Sequence, residues 1–500
     1  MWDDPAPFVL VPLITARDWR ALESRYPGPR RRGDLPLGRC LQIARANGAR
    51  CAVIETRYMD RDYRSEFSGF YSVTHAEVPS TAHRVHFFGR KLKRGQVAAL
   101  PDDHSYIGFM VIRPIPSARV GRTMLPPPPG IAPYVRCAQP DTVHLFGQKL
   151  AVPPSVPFMQ QDTQLGRCAH VAAWVCHHIA YLGGETGRRT LAELTSGGRP
   201  RQGPSPGLTV DELAEVLSTN GLTPTEYPLD LMPAPALVPW ETPQPVEHDA
   251  SGQRLHDGLW NREILRTACR YLNGGRPLIV ANFDHAFVLV GYKRMHGAAG
   301  SSYVALIRHD DQRGPYLPVH DPFNDVDLTT GVQYGCWENL IAPLPERLWL
   351  PPEPVEADAG RRLQAFARYG VSSGLAPAAA KLDQLIEAED LALRVYAAPS
   401  NKFKREASRL PSPYASEVRL QGMPRYVWIA ELVDRSVRDS DSAGSNDCVV
   451  GEAVYDATSS ETDPTPLALH VPGLAILERH GRRRLLCPPR GYATGGVGPA

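Results

Sequence analysis

The spacing of apolar and polar positions divides the chain into segments with different periods. Phe8 to Ile14 is a short apolar run of strand length, read as a buried strand. From Trp19 to about Cys51 the apolar residues recur at helical spacing, with Ala21, Leu22 and Tyr26 in one stretch and Leu41, Ile43 and Ala44 in the next. Tyr106 to Ile115 (YIGFMVIRPI) is rich in β-branched and aromatic residues and is closed by prolines, which predicts a central strand. Between these segments, Tyr58 to Ser72 alternates charges with aromatics and reads as a groove or an ordered loop rather than a plain helix face. The basic residues His83, Arg84, His86, Arg90, Lys91, Lys93 and Arg94, interleaved with Phe87 and Phe88, read as a solvated loop face. A phosphate- or acidic-peptide-binding patch is the alternative.

The middle of the chain has the clearest order of elements. Val171, Val175, Ile179 and Leu182 follow three-to-four spacing and Gly183-Gly184 supplies a stop, so a buried helix is expected from about Cys168. Thr209 and Glu212 form a capping box ahead of a second helix that ends at Gly221. Asn261 to Leu272 predicts a third helix, and RPLIVANF, HAFVLVGYKR and SSYVALIRHD predict three successive buried strands. After Pro351, LDQLIEAEDLALRVY is helix-prone, with Leu385, Leu391 and Leu393 turned inward. Strands follow at Tyr426 to Val433 and Val449 to Ala457, joined by the polar loop RSVRDSDSAGSND. GYATGGVGPA is expected to be a frayed tail. The expected division is an N-terminal α+β region (1–150), a catalytic domain (151–350) and a C-terminal β-rich region (351–500). The stiff LPPPPG segment, Leu125 to Gly130, marks the first boundary.

Composition narrows the function classes. With 43% hydrophobic and 22% charged residues the chain can bury enough apolar surface to fold. A formal charge of +2 creates no field that gathers polyanions, so nucleic acid is not an expected partner. No basic leader and no membrane-length apolar stretch is visible, and a soluble, cytoplasmic protein is expected. Nine scattered cysteines with no CxxC pair fit reduced thiols. The chain has neither GxxxxGK[ST] nor GxGxxG, which argues against ATP and dinucleotides. No cofactor is expected.

Cys168 stands at the first turn of the expected helix, where unpaired backbone N–H groups and the helix dipole favour an anion. His285 opens a buried strand and Asp310 closes the next one. If these two strands pair as a hairpin, imidazole and carboxylate lie near one edge. A zinc site is the rival chemistry, since Cys168, His170, Cys176, His177 and His178 are all potential ligands. A helix turns about 100° per residue, however, so these five do not share a face.

This order of cysteine, histidine and aspartate resembles the papain-like cysteine peptidases, most closely the C39-like branch. The resemblance rests on FMQQDTQLGRCAHVAAW (158–174), GLTVDELAEVL (207–217), RPLIVANFDHAFVLVGY (276–292) and YVALIRHDD (303–311), about 190 residues of the chain. It implies an α+β core in which a helix carrying the cysteine packs on an antiparallel sheet carrying the histidine and aspartate. It also implies Cys168 as nucleophile, His285 as general base and acid, Asp310 as orienting carboxylate and Gln161 as oxyanion donor. Gln164 is the alternative glutamine, because Gln161 lies one residue further from the cysteine than the family's usual offset. Asp321, in HDPF, is the alternative carboxylate, and Asp311 neighbours Asp310. Cys168-Ala169 replaces the usual Cys-Gly, and KRMHGAAGSS is an extra loop. The implied activity is hydrolysis of a peptide or isopeptide bond in a protein or peptide substrate. A transglutaminase-type acyltransferase, or an inactive scaffold binding peptide through Tyr58 to Arg94, are the alternatives.

Overall fold

The structure, a computed structural model, describes residues 6–27, 35–74, 77–98, 100, 105–162, 168–196, 207–229, 258–282, 285–296, 302–319, 337–370, 376–387, 391–407, 414–434, 449–459, 464–471, 474–479 and 482–486. Contacts divide the chain into two units, Met1–Leu229 with Gly275–Pro345 and Asp230–Gly274 with Glu346–Ala500. The class is α+β, with antiparallel sheets throughout the described residues.

The first unit opens with β1 (Phe8–Pro12), α1 (Ala16–Ser24), α2 (Leu35–Ala46), β2 (Cys51–Tyr58), α3 (Arg61–Gly69), β3 (Ala82–Phe88), β4 (Tyr106–Ile112) and β5 (Val120–Met124). The five strands form one sheet in chain order. A hairpin of β6 (Gln139–Leu145) and β7 (Gln148–Ser155) follows. Then come α4 (Cys168–Leu182), α5 (Leu191–Ser196), α6 (Val210–Thr219), β8 (Leu222–Pro228), β9 (Leu278–Ala281), β10 (Ala286–His296), β11 (Ser302–Asp310), β12 (Gly314–Val319) and β13 (Asn339–Pro345). The last six strands make a second sheet, ordered β12-β11-β10-β9-β13-β8.

Three expectations change in this unit. The basic segment divides in two: β3, with His83, Arg84 and His86, is buried at every position and flanked by β2 and β4, whereas Lys91, Lys93 and Arg94 form the expected solvated loop face. Arg84 pairs with Glu55 at 2.5 Å and lies 3.9 Å over the Tyr58 ring, while His86 bonds the Tyr106 hydroxyl at 2.8 Å. The groups on β3 thus meet partners across the sheet, which a charge count cannot reveal. Tyr58 to Ser72 is largely helix α3, because Asp60 caps it by accepting the Tyr63 N–H at 3.0 Å. Leu125 to Gly130 does not separate domains. The Tyr316 hydroxyl donates to the Leu125 carbonyl at 2.9 Å, and Thr123 and Phe158 exchange both backbone hydrogen bonds across the proposed boundary.

The second unit contains α7 (Gly258–Leu272), α8 (Pro352–Gly370), α9 (Ala376–Glu387), β14 (Leu391–Pro399), α10 (Ser400–Ala407), α11 (Tyr414–Leu420), β15 (Tyr426–Asp434), β16 (Val449–Asp456), β17 (Pro466–Val471), β18 (Leu474–Arg479) and β19 (Arg482–Leu486). Its strands form a meander in chain order. Phe403, Tyr414, Val418, Val427, Ile429 and Val454 cluster in its core. The third expected helix, α7, belongs here and not with the cysteine, because Arg270 on it is held by Glu353 and Glu356 of α8. The expected helix through Leu393 is two elements. Leu385 lies in α9, while Leu391 and Leu393 pair with Asp434 and Leu432 of β15. The loop 435–447 and the tail 491–500 fall outside the described residues. No helix among the described residues is long and apolar enough to cross a membrane.

Helix α4 is buried from Ala169 to Ala180, as its almost uninterrupted apolar sequence requires. It packs on β9, β10 and β13 of the second sheet. Trp174 on α4 donates its indole N–H to Asp62 of α3 at 3.3 Å, and Arg188 and Arg122 face the same carboxylate at 3.0 and 3.6 Å. Strand β10 is held in turn by the segment after β5, where the Arg136 and Cys137 amides donate to the Val290 carbonyl. At Gly291 that approach leaves no room for a side chain, since a Cβ would stand 2.2 Å from the Tyr134 carbonyl oxygen. Gly291→Ala is therefore expected to destabilise the first unit by about 1–3 kcal/mol through forced backbone displacement, read as a lower urea midpoint.

Candidate active site

The β10–β11 hairpin determines which residues meet. Its register pairs Val288 with His309 and Leu289 with Arg308, so the residue before β10 reaches the turn after β11. His285 is anchored by its carbonyl, which accepts the Asn282 N–H at 2.8 Å. Asp310 ends β11 at a tight turn in which the Arg313 N–H returns to its carbonyl at 3.1 Å. Gly314 closes that turn at φ +125°, and a Cβ there would stand 2.7 Å from Arg39 Cγ.

The result is a chain of contacts. His285 Nε2 lies 3.3 Å from Asp310 Oδ1, and the Cys168 thiol at the start of α4 is near enough to His285 to favour its charged form. Asp310 is fully buried and His285 nearly so, whereas Cys168 is partly exposed. Asp310 Oδ1 also accepts the Gln312 N–H at 3.0 Å, and Arg308 Nε stands 3.9 Å from Oδ2. The Arg308 guanidinium lies 4.9 Å over the Phe287 ring, which keeps it beside the carboxylate. A small cleft lies against the thiol, lined mainly by apolar side chains.

Electrostatics follow from this packing. Burial works against the imidazolium of His285, but Asp310 and Cys168 beside it, with the charge of Asp311, push its pKa up to about 11. Burial also works against the Asp310 carboxylate, yet His285, Arg308 and the Gln312 N–H hold it below the ordinary value. For Asp311 burial prevails, aided by the charge of Asp310 and opposed by His285, and the carboxyl rises to about 7.

Cys168, His285 and Asp310, chosen from sequence, are thus brought together. Gln161 is half-buried on the segment leading to α4, and among the described residues no hydrogen bond joins its side chain to Cys168 or His285. Gln164 and Asp321 lie outside the described residues. Of the potential zinc ligands on α4, His177 Nε2 faces the Asn220 carbonyl at 3.1 Å and His178 packs on Trp174 and Tyr181, so the two turn to different neighbours. A different trio could hold a cation: His285, Asp310 and Asp311 offer ligand atoms all within 4.8 Å of one another. An ion there would compete with the Cys168–His285 contact.

Sequence reasoning missed Gln312, whose side-chain amide lies 3.3 Å from His285 Nδ1. An amide can present oxygen to an N–H or its own N–H to a lone pair, so Gln312 can serve both protonation states of the ring. Its signal was available two residues after Asp310, in a sequence short enough to form a turn. Arg308 was missed as well, read only as part of a strand. No family model, curated protein or solved structure matches the chain.

A histidine whose pKa is higher folded than unfolded stabilises the fold fully below its unfolded value of about 6.5 and loses that contribution as pH rises toward the folded value. The wild-type urea midpoint is therefore expected to fall between about pH 7 and 10 in part through His285. In His285→Gln that part of the slope should be absent, and parallel wild-type and variant profiles would contradict the ion pair.

Proposed function

We propose that the protein is a cysteine-dependent hydrolase of amide or peptide bonds, with a core of the papain-like kind. The observation that carries this reading is the contact order Cys168, His285, Asp310, with the thiol at the start of a buried helix and the other two on the sheet that helix packs against. A thiol beside a histidine held charged by a carboxylate can exist as a thiolate–imidazolium pair. A cleft beside the partly exposed sulfur gives a carbonyl carbon access to it.

In this mechanism the Cys168 thiolate adds to the carbonyl carbon and the π electrons move to oxygen. The Cys168 backbone N–H at the helix start donates to that oxyanion, and Gln161 is the proposed second donor. His285 gives its proton to the nitrogen as the carbon–nitrogen bond breaks, leaving an acyl-thioester and a free amine. The neutral imidazole then takes a proton from water, which attacks the thioester and returns the thiolate. Asp310 keeps the ring oriented through both halves, and Gln312 supports whichever state Nδ1 adopts.

The scaffold alternative, a peptide held by Tyr58 to Arg94, is narrowed to the exposed residues of that span, such as Lys91, Lys93 and Arg94, because β3 is buried at every position. The rest of the reading is tested by site-resolved alkylation of the native protein with limiting iodoacetamide. Cys168 should react at least about tenfold faster than the buried Cys40, Cys51, Cys137 and Cys176. His285→Ala should slow Cys168 by roughly 10²-fold. Hydrolysis of a reactive acyl ester should disappear in Cys168→Ala. A Cys168 rate equal to that of the buried thiols would eliminate the mechanism.

A further inference from the structure

The proposed mechanism uses Cys168, His285 and Asp310 but has no task for Asp311. This carboxylate is only 5% exposed and lines the same cleft as Cys168. The surrounding walls are apolar or uncharged, including Phe158, Val171, Phe287 and His309, which burial holds neutral with a pKa of about 3. Among the described residues, neither Asp311 oxygen makes a well-formed hydrogen bond. The backbone amides of Asp311 and Gln312 favour the anion, but less than burial opposes it. A buried, weakly solvated carboxylate costs several kcal/mol unless a donor or cation meets it.

Among the described residues, the cations nearest to Asp311 are turned to other partners. His285 is already engaged by Asp310 and by Cys168, and Arg308 faces Asp310. With His285 and Arg308 both facing Asp310, an ionised Asp311 is the less well compensated of the two carboxylates, inside an apolar cleft that opens to the nucleophile.

Resting on the hydrolase reading above, we infer that Asp311 is a specificity-determining residue that receives a cationic group of the substrate, an amine or guanidine, close to the scissile carbonyl. A cation seated there offsets its charge and gives the carboxylate its missing donors. An anionic group in the same place would meet uncompensated repulsion. Without a cation, a proton serves the same purpose, in keeping with the elevated pKa of the carboxyl. The titratable groups facing Asp311 are His285 before β10, Asp310 beside it, and His309 and Cys168 across the cleft. Of these, His285 remains charged and His309 neutral through the neutral range.

Small charged alkylating agents test this without knowledge of the natural substrate. Labelling of Cys168 is followed by mass spectrometry with 2-bromoethylamine (cationic), iodoacetate (anionic) and iodoacetamide (neutral) on the wild type and Asp311→Asn. The bromoethylamine-to-iodoacetate rate ratio, in which any change in the thiol's own reactivity cancels, should be about tenfold or more higher in the wild type, with the iodoacetamide rate recording that common change. Equal ratios overturn the inference while leaving the hydrolase reading intact. Slow iodoacetamide labelling of wild-type Cys168 overturns both. Should Asp311→Asn fail to fold, the wild type alone decides at one pH: its bromoethylamine-to-iodoacetate ratio should exceed that of a free cysteine peptide by about tenfold, and an equal ratio overturns the assignment.

Discussion

The contact between His285 and Asp310 is the interaction on which the candidate site depends. Two opposite charges taken out of water attract strongly only if both are held within a few ångströms, and separating them leaves each stranded at a cost of several kcal/mol. The 3.3 Å approach satisfies that condition because hairpin register brings the residue before one strand to the residue ending the next. The turn at Asp310 to Gly314 is equally specific, since the carboxylate that meets the ring also accepts the Gln312 N–H. Backbone geometry therefore specifies the electrostatics, and the electrostatics keep the imidazolium charged beside the thiol.

The thiol reaches this pair because α4 is enclosed. One side of the helix packs on the second sheet, and its Trp174 indole is tied to the Asp62 carboxylate of α3. Asp62 is fully buried, so burial and the neighbouring Asp60 charge raise its pKa, with Arg122 and Arg188 acting in the opposite sense. Arg113 makes a comparable buried connection, donating to both Glu66 oxygens and to the Gln160 carbonyl on the segment that leads to Cys168. The N-terminal sheet and α3 are thus a framework for the nucleophile.

The chemistry of the site is divided among residues of unequal visibility. Cys168 and His285 carry the proposed bond-making and proton transfer, Asp310 keeps the ring in place, and Gln312 can follow the ring through its protonation cycle. Asp311 has the opposite electrostatic character to its neighbour: Asp310 is stabilised as an anion by His285, the charge of Arg308 and the Gln312 N–H, and Asp311 is disfavoured as one by burial. Two adjacent carboxylates with pKa values driven apart usually have different tasks.

Local pattern alone determined the elements whose cause is local. The apolar stripe and glycine stop delimited α4, Thr209 and Glu212 formed the capping box that begins α6, and β-branched runs marked β4, β10 and β11. Cys168, His285 and Asp310 were legible because a helix start, a strand start and a strand end are positions that sequence can identify. Tertiary structure decided everything that depended on a distant partner. Arg84 and His86 became core residues because Glu55 and Tyr106 lie across the sheet. Leu391 and Leu393 became strand because β15 supplies their hydrogen bonds. The prolines at Leu125 to Gly130 failed to divide the chain because Tyr316 reaches back to hold it. A charge or a leucine reads the same in sequence whether it meets solvent, a counter-ion or another strand, and only the folded chain determines which.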